Sequence, residues 1–272
     1  GDNGGCYRTG ADGNIPPTMS ARLRSFERFY FKYGRIEIMA KMPVSDWTWP
    51  AMWMLPEFWV YGGWPRSGEI DITEGIGNRD FLSGDDGSWY GIQRMGSTLH
   101  WGMQWDDNRW YLTYDHYWNE AQNYGDHFHL YVTEWDENGF IFYIDGDEVV
   151  RCPDPLINDN PDWVDWYEFG SPWWSTDENP WEDGTNMAPF DEDFHFILNV
   201  AVGGTNGFIP DNGINRGGDP EHQKPWSNED WYELAMQKFY DARNSWLGTW
   251  DDEGENAAMQ VEYVRVYQKT GQ

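Results

Sequence analysis

The sequence predicts an all-β protein, a sandwich of two antiparallel sheets with one short helix in the C-terminal half. Several segments alternate apolar and polar residues, glycine-containing turns separate them, and only one segment follows a helical period. Of the 272 residues, 39% are hydrophobic and 18% aromatic, so the chain can bury a large core. This length fits one β domain, and no internal repeat or Pro/Ser linker divides it.

The strands are predicted from alternation and from the turns between them. Asn138-Gly139 and Asp145-Gly146 suit tight hairpin turns that need a positive φ, and they separate three alternating segments into a meander. Alternation puts Ile36, Ile38 and Ala40 on one face of the first long strand. The strands predicted in this way are residues 31–41, 128–135, 140–145, 148–151, 194–202 and 259–267.

The predicted helix follows Ser227, whose hydroxyl suits an N-cap. Glu229 and Asp230 lie in its first turn, where acidic side chains favour the helix dipole. Its apolar face is formed by Trp231, Leu234, Ala235 and Phe239.

Residues 152–215 contain no Lys or Arg but are rich in acids, tryptophan and proline. This composition is typical of a long ordered loop that its own aromatic side chains pack, or of a lid over a cleft. A solvated insertion is the alternative.

The charge of the chain limits its partners. Eighteen Lys and Arg stand against 47 Asp and Glu, which gives a formal net charge of −29. This charge argues against nucleic acid and anionic polymers, so we expect a neutral ligand. No apolar run approaches the roughly 20 residues of a membrane span, and we expect no membrane partner. The chain begins at Gly1 without a leader, so we expect an extracellular, secreted protein whose signal peptide is removed or omitted.

The two cysteines, Cys6 and Cys152, lack the CxxC spacing of a zinc or redox motif. They form either one disulfide or two buried thiols, and the sequence leaves both readings open. A bridge would close a long loop, a crosslink that typically stabilises a fold by about 2–4 kcal/mol.

The segment GEIDITE, residues 68–74, is the most informative one. Ile70 and Ile72 alternate with Glu69 and Asp71, so one face of this strand is acidic. Strict alternation would put Glu74 in the core, where an unpaired carboxylate is costly. A β-bulge near residues 72–73 would return Glu74 to the face of the other two acids.

Three carboxylates in a row repel one another and push their pKa values apart. Glycoside hydrolysis with retention requires one ionised carboxylate and one protonated carboxyl about 5–5.5 Å apart. The order along the strand suggests Glu69 as nucleophile, Glu74 as acid/base, and Asp71 as the group that orients Glu69. A calcium site built from the same acids and a merely solvated strand face are the alternatives.

The bulged GEIDITE motif resembles the active-site strand of glycoside hydrolase family 16, in its laminarinase-like branch, and looks closest to animal endo-1,3-β-glucanases. The resemblance extends over nearly the whole chain. Further segments that carry it are WPAMWMLP (49–56), YGGWPRSG (61–68), TLHWG (98–102), MAPFD (187–191), NVAVGG (199–204) and QVEYVRVY (260–267).

The resemblance implies a β-jelly roll with a sugar-binding groove, in which no cofactor takes part in the chemistry. It assigns the same catalytic roles to Glu69, Asp71 and Glu74, and it places His100 near Glu74. The positions that match groove contacts are Arg35, Trp53, Trp64, Arg66, His100 and Trp101. Tryptophan rings suit the apolar faces of glucose, and arginine donates paired hydrogen bonds to hydroxyls. The other histidines show no metal-ligand spacing, and we expect structural roles for them.

The same resemblance implies a single family 16 catalytic domain over residues 1–272. Relatives have further N-terminal strands before the segment that resembles GCYRTG (5–10), so the expected domain lacks the most N-terminal strands. Glu262 stands where many relatives have an Asp that helps bind a structural calcium, and calcium is an open expectation here.

The function expected from these residues is that of a monomeric, retaining endo-1,3-β-glucanase, which hydrolyses laminarin-like β-glucans by double displacement. Two alternatives stay open: a non-catalytic β-1,3-glucan recognition protein, and the same scaffold with mixed-linkage β-glucan specificity. In each case the partner is a neutral β-glucan polysaccharide or oligosaccharide.

Overall fold

The structure, a computed structural model, describes residues 15–84, 87–118, 122–153, 179–216, 222–250 and 255–269. These residues form mostly antiparallel strands, with two short α-helices and three turns of 3₁₀-helix. The strands are β1 (Arg22–Arg24), β2 (Tyr30–Phe31), β3 (Gly34–Lys41), β4 (Thr48–Pro56), β5 (Glu69–Gly75), β6 (Phe81–Leu82), β7 (Arg94–His100), β8 (Tyr114–Trp118), β9 (His129–Asp136), β10 (Gly139–Ile144), β11 (Asp147–Cys152), β12 (Phe194–Val202), β13 (Ile214–Asn215), β14 (His222–Gln223) and β15 (Gln260–Tyr267). The helices are α1 (Tyr232–Asp241) and α2 (Arg243–Trp246).

Two large sheets form the sandwich, and both are antiparallel throughout the described residues. One has the order β1-β12-β4-β5-β7-β8, with β2 also paired to β12, and the other has the order β11-β10-β9-β3-β15. A small third sheet joins β14, β13 and β6. This architecture is the predicted β-jelly roll.

The main core lies between the two large sheets and follows from alternation. Ile36 and Ile38 of β3 are fully buried, and so is Ile70 of β5 in the opposite sheet. Trp135 of β9 packs edge-on against Phe194 of β12, with ring centroids 5.6 Å apart. Apolar faces from both sheets therefore meet, and the other face of the β5 sheet remains available for polar side chains.

A second cluster of buried aromatic residues supports the C-terminal helices. Trp226 packs against Trp47 at 5.4 Å and against Phe239 of α1 at 5.7 Å, and its indole donates a 2.7 Å hydrogen bond to the Gly204 carbonyl. This contact ties the loop after β12 to α1. No described helix is long and apolar enough to cross a membrane.

Several expectations need correction. The predicted strand 31–41 is two strands, because Tyr33 has a φ of 60° and interrupts the extended backbone. The helix begins at Tyr232, and Ser227 does not cap it. Ser227 instead accepts a hydrogen bond from the Glu229 amide and donates one to Asp211, in the turn before the helix. Trp231, expected on the apolar face, is 65% exposed.

Two expectations fall wholly or partly outside the described residues. The disulfide expectation involves Cys6, which is not among them, and Cys152 is buried in the core. Residues 154–178 of the acidic segment 152–215 also lie outside, so the expectation of a lid stays a prediction. Within its described part, Trp181 is buried, and its indole donates a hydrogen bond to the Arg66 carbonyl.

Candidate active site

The acidic strand β5 contains the predicted bulge. Asp71 pairs with Thr98 of β7, and Glu74 pairs with Gly96, so three steps along β5 match two steps along β7. The register with β4 shifts at the same place. Because of this extra residue, Glu74 lies on the same face as Asp71, while Ile70 and Ile72 are buried in the core. The bulge therefore sets three carboxylates along one face.

A cleft of about 910 Å³ lies over this face of the sheet. It is open to solvent, and both aromatic and polar side chains line it. The side chains and glycines in its wall are Trp49, Trp64, Glu69, Glu74, Gly75, Ile76, Tyr90, Arg94, Gly96, Thr98, His100, Trp105, Asn108, Trp110, Tyr114, Asn206, Gly207 and Phe208. A concave site with aromatic walls and a few carboxylates is typical of small-molecule and oligosaccharide ligands.

Glu69 begins β5 and is half-buried. The Trp64 indole donates a 2.6 Å hydrogen bond from Nε1 to Glu69 Oε2. Burial raises the pKa of Glu69 to about 8, and the neighbouring Asp71 carboxylate acts in the same direction. His100 and the Trp64 hydrogen bond oppose this rise because they favour the ionised form.

Asp71 lies between the two glutamates and is only 3% exposed. Its Oδ2 is 3.1 Å from His100 Nε2, and burial raises its pKa, whereas a hydrogen bond with Glu69 lowers it. The opposite nitrogen of His100, Nδ1, is 2.7 Å from the Asn108 side-chain amide. Asn108 therefore holds the imidazole against Asp71.

Glu74 is held on the other side of the cleft by Trp49, whose Nε1 donates a 2.9 Å hydrogen bond to Oε2. The Trp49 ring stacks on Phe208, with centroids 4.1 Å apart and planes 8° from parallel. Burial raises the pKa of Glu74, and the charge of Asp71 raises it further. A carboxyl group that keeps its proton near neutral pH can act as a general acid.

Three of the residues expected at the groove lie on or beside the acidic face. Trp64 and His100 line the cleft, with their rings 5.7 Å apart. His100 is directly opposite Glu69 in the ladder, and its charge also lowers the pKa of Glu74. Trp53 pairs with Asp71 across β4 and β5, and its indole donates a 2.7 Å hydrogen bond to Asn199.

The other three expected contacts lie elsewhere. Arg35 belongs to β3 in the opposite sheet, where it forms ion pairs with Glu37 at 2.9 Å and Glu134 at 2.6 Å. Arg66 donates from Nε and Nη2 to the Met103 carbonyl, so its guanidinium holds the loop after β7. Trp101 is fully buried, since side chains alternate along the chain and its neighbour His100 faces the cleft.

Several cleft residues were not expected from the sequence. The sequence could have predicted Trp49 as a cleft residue. Trp49, Ala51 and the expected groove residue Trp53 are at alternate positions of β4 and so share one face. Trp105 and Trp110 come from two 3₁₀ turns in the loop between β7 and β8, where no periodic pattern predicts direction. Phe208 comes from the glycine-rich loop after β12.

Among the described residues, one group of three side chains could hold a metal ion, and it consists of Glu69, Asp71 and His100. Glu262 is on β15, in the opposite sheet, and does not belong to this group. The structural calcium considered for Glu262 stays a prediction.

Comparisons with known proteins identify the family of the chain. The family model "Glycosyl hydrolases family 16" matches residues 8–163. The chain is 46% identical over 268 residues to a beta-1,3-glucan-binding protein of Penaeus monodon, a match that covers 97% of this chain and 66% of the relative. It is 34% identical over 185 residues to glucan endo-1,3-beta-glucosidase A1 of Niallia circulans, a match that covers 68% of this chain and 22% of that enzyme.

A solved structure shares the fold. The laminarinase catalytic domain from Thermotoga maritima superposes with a TM-score of 0.50 at 24% identity, and the match covers 92% of this chain and 69% of that one. The chain spans no more than about two thirds of the two sequence relatives named above. The matching family model, together with the long match to the Penaeus protein, means that the chain belongs to glycosyl hydrolases family 16.

Proposed function

We propose that the cleft over β5 binds β-1,3-glucan chains. The observation that carries this proposal is the composition of the cleft, in which Trp49, Trp64, Trp105 and Trp110 surround the carboxylates. Such walls offer flat apolar surface to sugar rings, and the charged groups between them accept hydrogen bonds from hydroxyls. The names of the Penaeus and Niallia relatives both refer to β-1,3-glucan, which supports the same ligand.

The comparisons favour recognition over hydrolysis. Relatives whose names state β-1,3-glucan binding match 93–97% of this chain, whereas the bacterial endo-glucosidase matches 68%. Recognition of glucan is therefore the main proposal. It requires only that the cleft is open and that its aromatic and polar groups are in place.

Hydrolysis with retention is the second candidate, and the bulge in β5 favours it. Because of the bulge, Glu74 shares a face with Glu69, with Asp71 between them. Acids on a merely solvated strand face would not have raised pKa values, whereas those of Glu69 and Glu74 are raised. Each of the two also accepts a hydrogen bond from an indole, of Trp64 and Trp49 respectively. Two carboxyl groups on one face of a sugar-binding cleft are what double displacement uses.

In this mechanism Glu74 donates its proton to the glycosidic oxygen while the Glu69 carboxylate attacks the anomeric carbon. Glu74 then removes a proton from water, which releases the glycosyl group from Glu69. The hydrogen bond from Trp64 and the charge of His100 both favour the ionised form of Glu69 that attacks. A hydrogen bond between Asp71 and the ionised Glu69 requires the proton to be on Asp71, whose pKa burial raises. In that state Asp71 would orient the Glu69 carboxylate.

One experiment separates the two candidates. Laminarin is incubated with the native chain and with Glu69→Gln, and both binding and new reducing ends are measured. Recognition alone predicts binding by both proteins and no reducing ends. Hydrolysis predicts reducing ends from the native chain and at least about a hundredfold fewer from Glu69→Gln, with binding retained in the variant.

Glu262→Gln, a substitution on the opposite sheet, is the control. A native chain that does not bind laminarin would overturn the main proposal. Equal turnover by the native chain and Glu69→Gln would exclude Glu69 as the nucleophile.

A further inference from the structure

A second pocket lies beside the loop that follows β12, next to the cleft. Its volume is about 380 Å³, against about 910 Å³ for the cleft. Residues 16–20, residues 202–205, Trp226 and one face of α1 form it. The hydroxyl of Ser20 donates a hydrogen bond to the Val200 carbonyl, which holds the first of these segments on β12. The proposed function does not use this pocket.

The lining of the pocket is neutral, in contrast to the chain, in which 24% of the residues are charged. None of the described residues that line it is an acid, a lysine, an arginine or a histidine. A charged ligand would therefore find no partner among them, and an anion would also be repelled by the net charge of −29. A neutral ligand suits this lining best.

The pocket combines an apolar floor with hydroxyl groups at its rim. Trp226 is 3% exposed and Phe239 is 5% exposed, so both belong to the packed interior below the pocket. Thr18 and Thr205 offer hydroxyl groups, and Tyr232 is 67% exposed. A sugar ring has an apolar face and a rim of hydroxyls, so an aromatic ring beside hydroxyl groups suits it. A purely apolar ligand would leave these hydroxyl groups without partners.

The pocket and the cleft share one wall. Thr205 lines the pocket, and the next residue, Asn206, lines the cleft. A Cβ atom placed on Gly204 would lie 3.9 Å from the ring of Trp49 in the cleft wall. Gly204 is exposed and has no side chain, so no side chain at that position separates the two. A polymer in the cleft can therefore pass over this wall into the pocket.

We propose that this pocket is a second binding site for the neutral β-1,3-glucan chain that occupies the cleft. The inference rests on the proposed function, from which it takes the ligand. Ligand pockets range over about 300–1,000 Å³, so this one holds only a short stretch of chain. Two sites at a fixed spacing on one surface bind a long chain more tightly than either site does alone.

The test compares a long glucan with a short one in the Glu69→Gln background, so that hydrolysis does not deplete the glucan. Laminarin binding is measured by calorimetry. A 1,3-linked glucose trimer is too short to fill the cleft and the pocket together, and its binding in the cleft is followed through the carboxyl ¹³C signal of Glu74. Tyr232→Ala should weaken laminarin binding about tenfold. It should leave the trimer titration and the thermal midpoint unchanged, because Tyr232 is an exposed residue outside the cleft.

Tyr240→Ala is the matched control. Tyr240 is 47% exposed near the other end of the same helix, and it does not line the pocket. This variant should bind laminarin as the background does. Tyr232→Phe keeps the aromatic ring and should retain most of the affinity.

Unchanged laminarin affinity in Tyr232→Ala would overturn the second site and leave the proposed function standing. An equal loss for laminarin and for the trimer would also overturn it, because the substitution would then act through the cleft. A hydrophobic dye that Tyr232→Ala releases and laminarin does not displace would assign the pocket to an apolar ligand and refute the inference. If Tyr232→Ala abolishes laminarin binding while no glucan shifts the Glu74 signal, the proposed role of the cleft fails and the pocket stands.

Discussion

Trp64 and Glu69 are joined by a 2.6 Å hydrogen bond from the indole Nε1 to the carboxylate Oε2. Trp64 is 39% exposed at the rim of the cleft, and Glu69 begins the acidic strand five residues later. The indole therefore has two roles: its ring forms part of the cleft wall, and its N–H favours the ionised form of a carboxyl group whose pKa burial has raised. A substitution that separates the two roles tests this relationship.

Trp64→Phe keeps an aromatic wall but removes the N–H donor. A hydrogen bond to a charged group contributes about 1.5–3 kcal/mol, so we expect the pKa of Glu69 to rise by about one to two units. Carboxyl ¹³C NMR titration measures this directly. For a hydrolase, the acidic limb of the kcat/KM profile should move to higher pH by the same amount.

Trp231→Phe, at an exposed indole before α1, is the control. A Glu69 titration that is unchanged in Trp64→Phe would contradict this role for the indole.

The bulge in β5 leads to a prediction about a deletion. Thr73 is fully buried, and its hydroxyl has no hydrogen-bond partner among the described residues. Without Thr73 the strand would read Glu-Ile-Asp-Ile-Glu, so regular alternation would keep all three acids on the cleft face and both isoleucines in the core. We expect the deletion variant to fold, to change in stability by no more than about 2 kcal/mol, and to bind laminarin.

The control for this deletion is in β12, whose register with β4 is unbroken over nine pairs. Deletion of Leu198 would shift the register of β12 on one side of the deletion by one residue. The side chains there would then point to the opposite face of the sheet. We expect it to abolish folding, as measured by thermal unfolding. If deletion of Thr73 is equally destructive, the register of β5 does not follow from alternation alone.

Much of the fold could be predicted from local patterns. The predicted strand 194–202 has the bounds of β12, because apolar residues occupy every second position from Phe194 to Val202. The position of Glu74 was also predictable, since a carboxylate in the core is too costly and a bulge is the smallest change that avoids this. Both predictions depend on residues that are close in sequence.

The remaining parts of the site depend on contacts between distant residues. Alternation puts Arg35 on the polar face of its strand, but it does not say which of the two sheets contains that strand. Trp101 resembles a groove residue, yet its neighbour His100 faces the cleft, so Trp101 turns into the core. Phe208, in the loop after β12, lies in the cleft wall stacked on Trp49 of β4.

Asp46 predicts a dependence of stability on pH. It is 1% exposed, its Oδ2 accepts a 2.6 Å hydrogen bond from Asn215, and burial raises its pKa to about 7. An unfolded Asp titrates near 3.9, so between about pH 4 and pH 7 the folded chain holds a proton that the unfolded chain has lost. The free energy of unfolding therefore falls as the pH rises through this window.

Asp46→Asn should remove this part of the slope. Below pH 4 the variant and the native chain should be similarly stable, and at pH 8 the variant should be more stable by on the order of 4 kcal/mol. Urea unfolding at both pH values measures the difference, with Asp115→Asn, at an exposed acid, as the control. A variant that is less stable than the native chain at pH 8 would contradict the assignment.

Two tryptophans close in sequence provide opposite predictions. Trp105 is 75% exposed in the wall of the cleft, whereas Trp101 is fully buried, and its indole donates a 3.2 Å hydrogen bond to Thr113. Trp105→Ala should weaken laminarin binding about tenfold, which is ~1.4 kcal/mol, and leave the thermal midpoint unchanged, because no core contact is lost. Trp101→Phe should lower stability by about 2 kcal/mol through a lost hydrogen bond and a smaller ring, with laminarin affinity unchanged. Binding calorimetry and thermal unfolding of both variants measure the two effects. A loss of affinity in Trp101→Phe at native stability would return that residue to the groove, where its motif had suggested it.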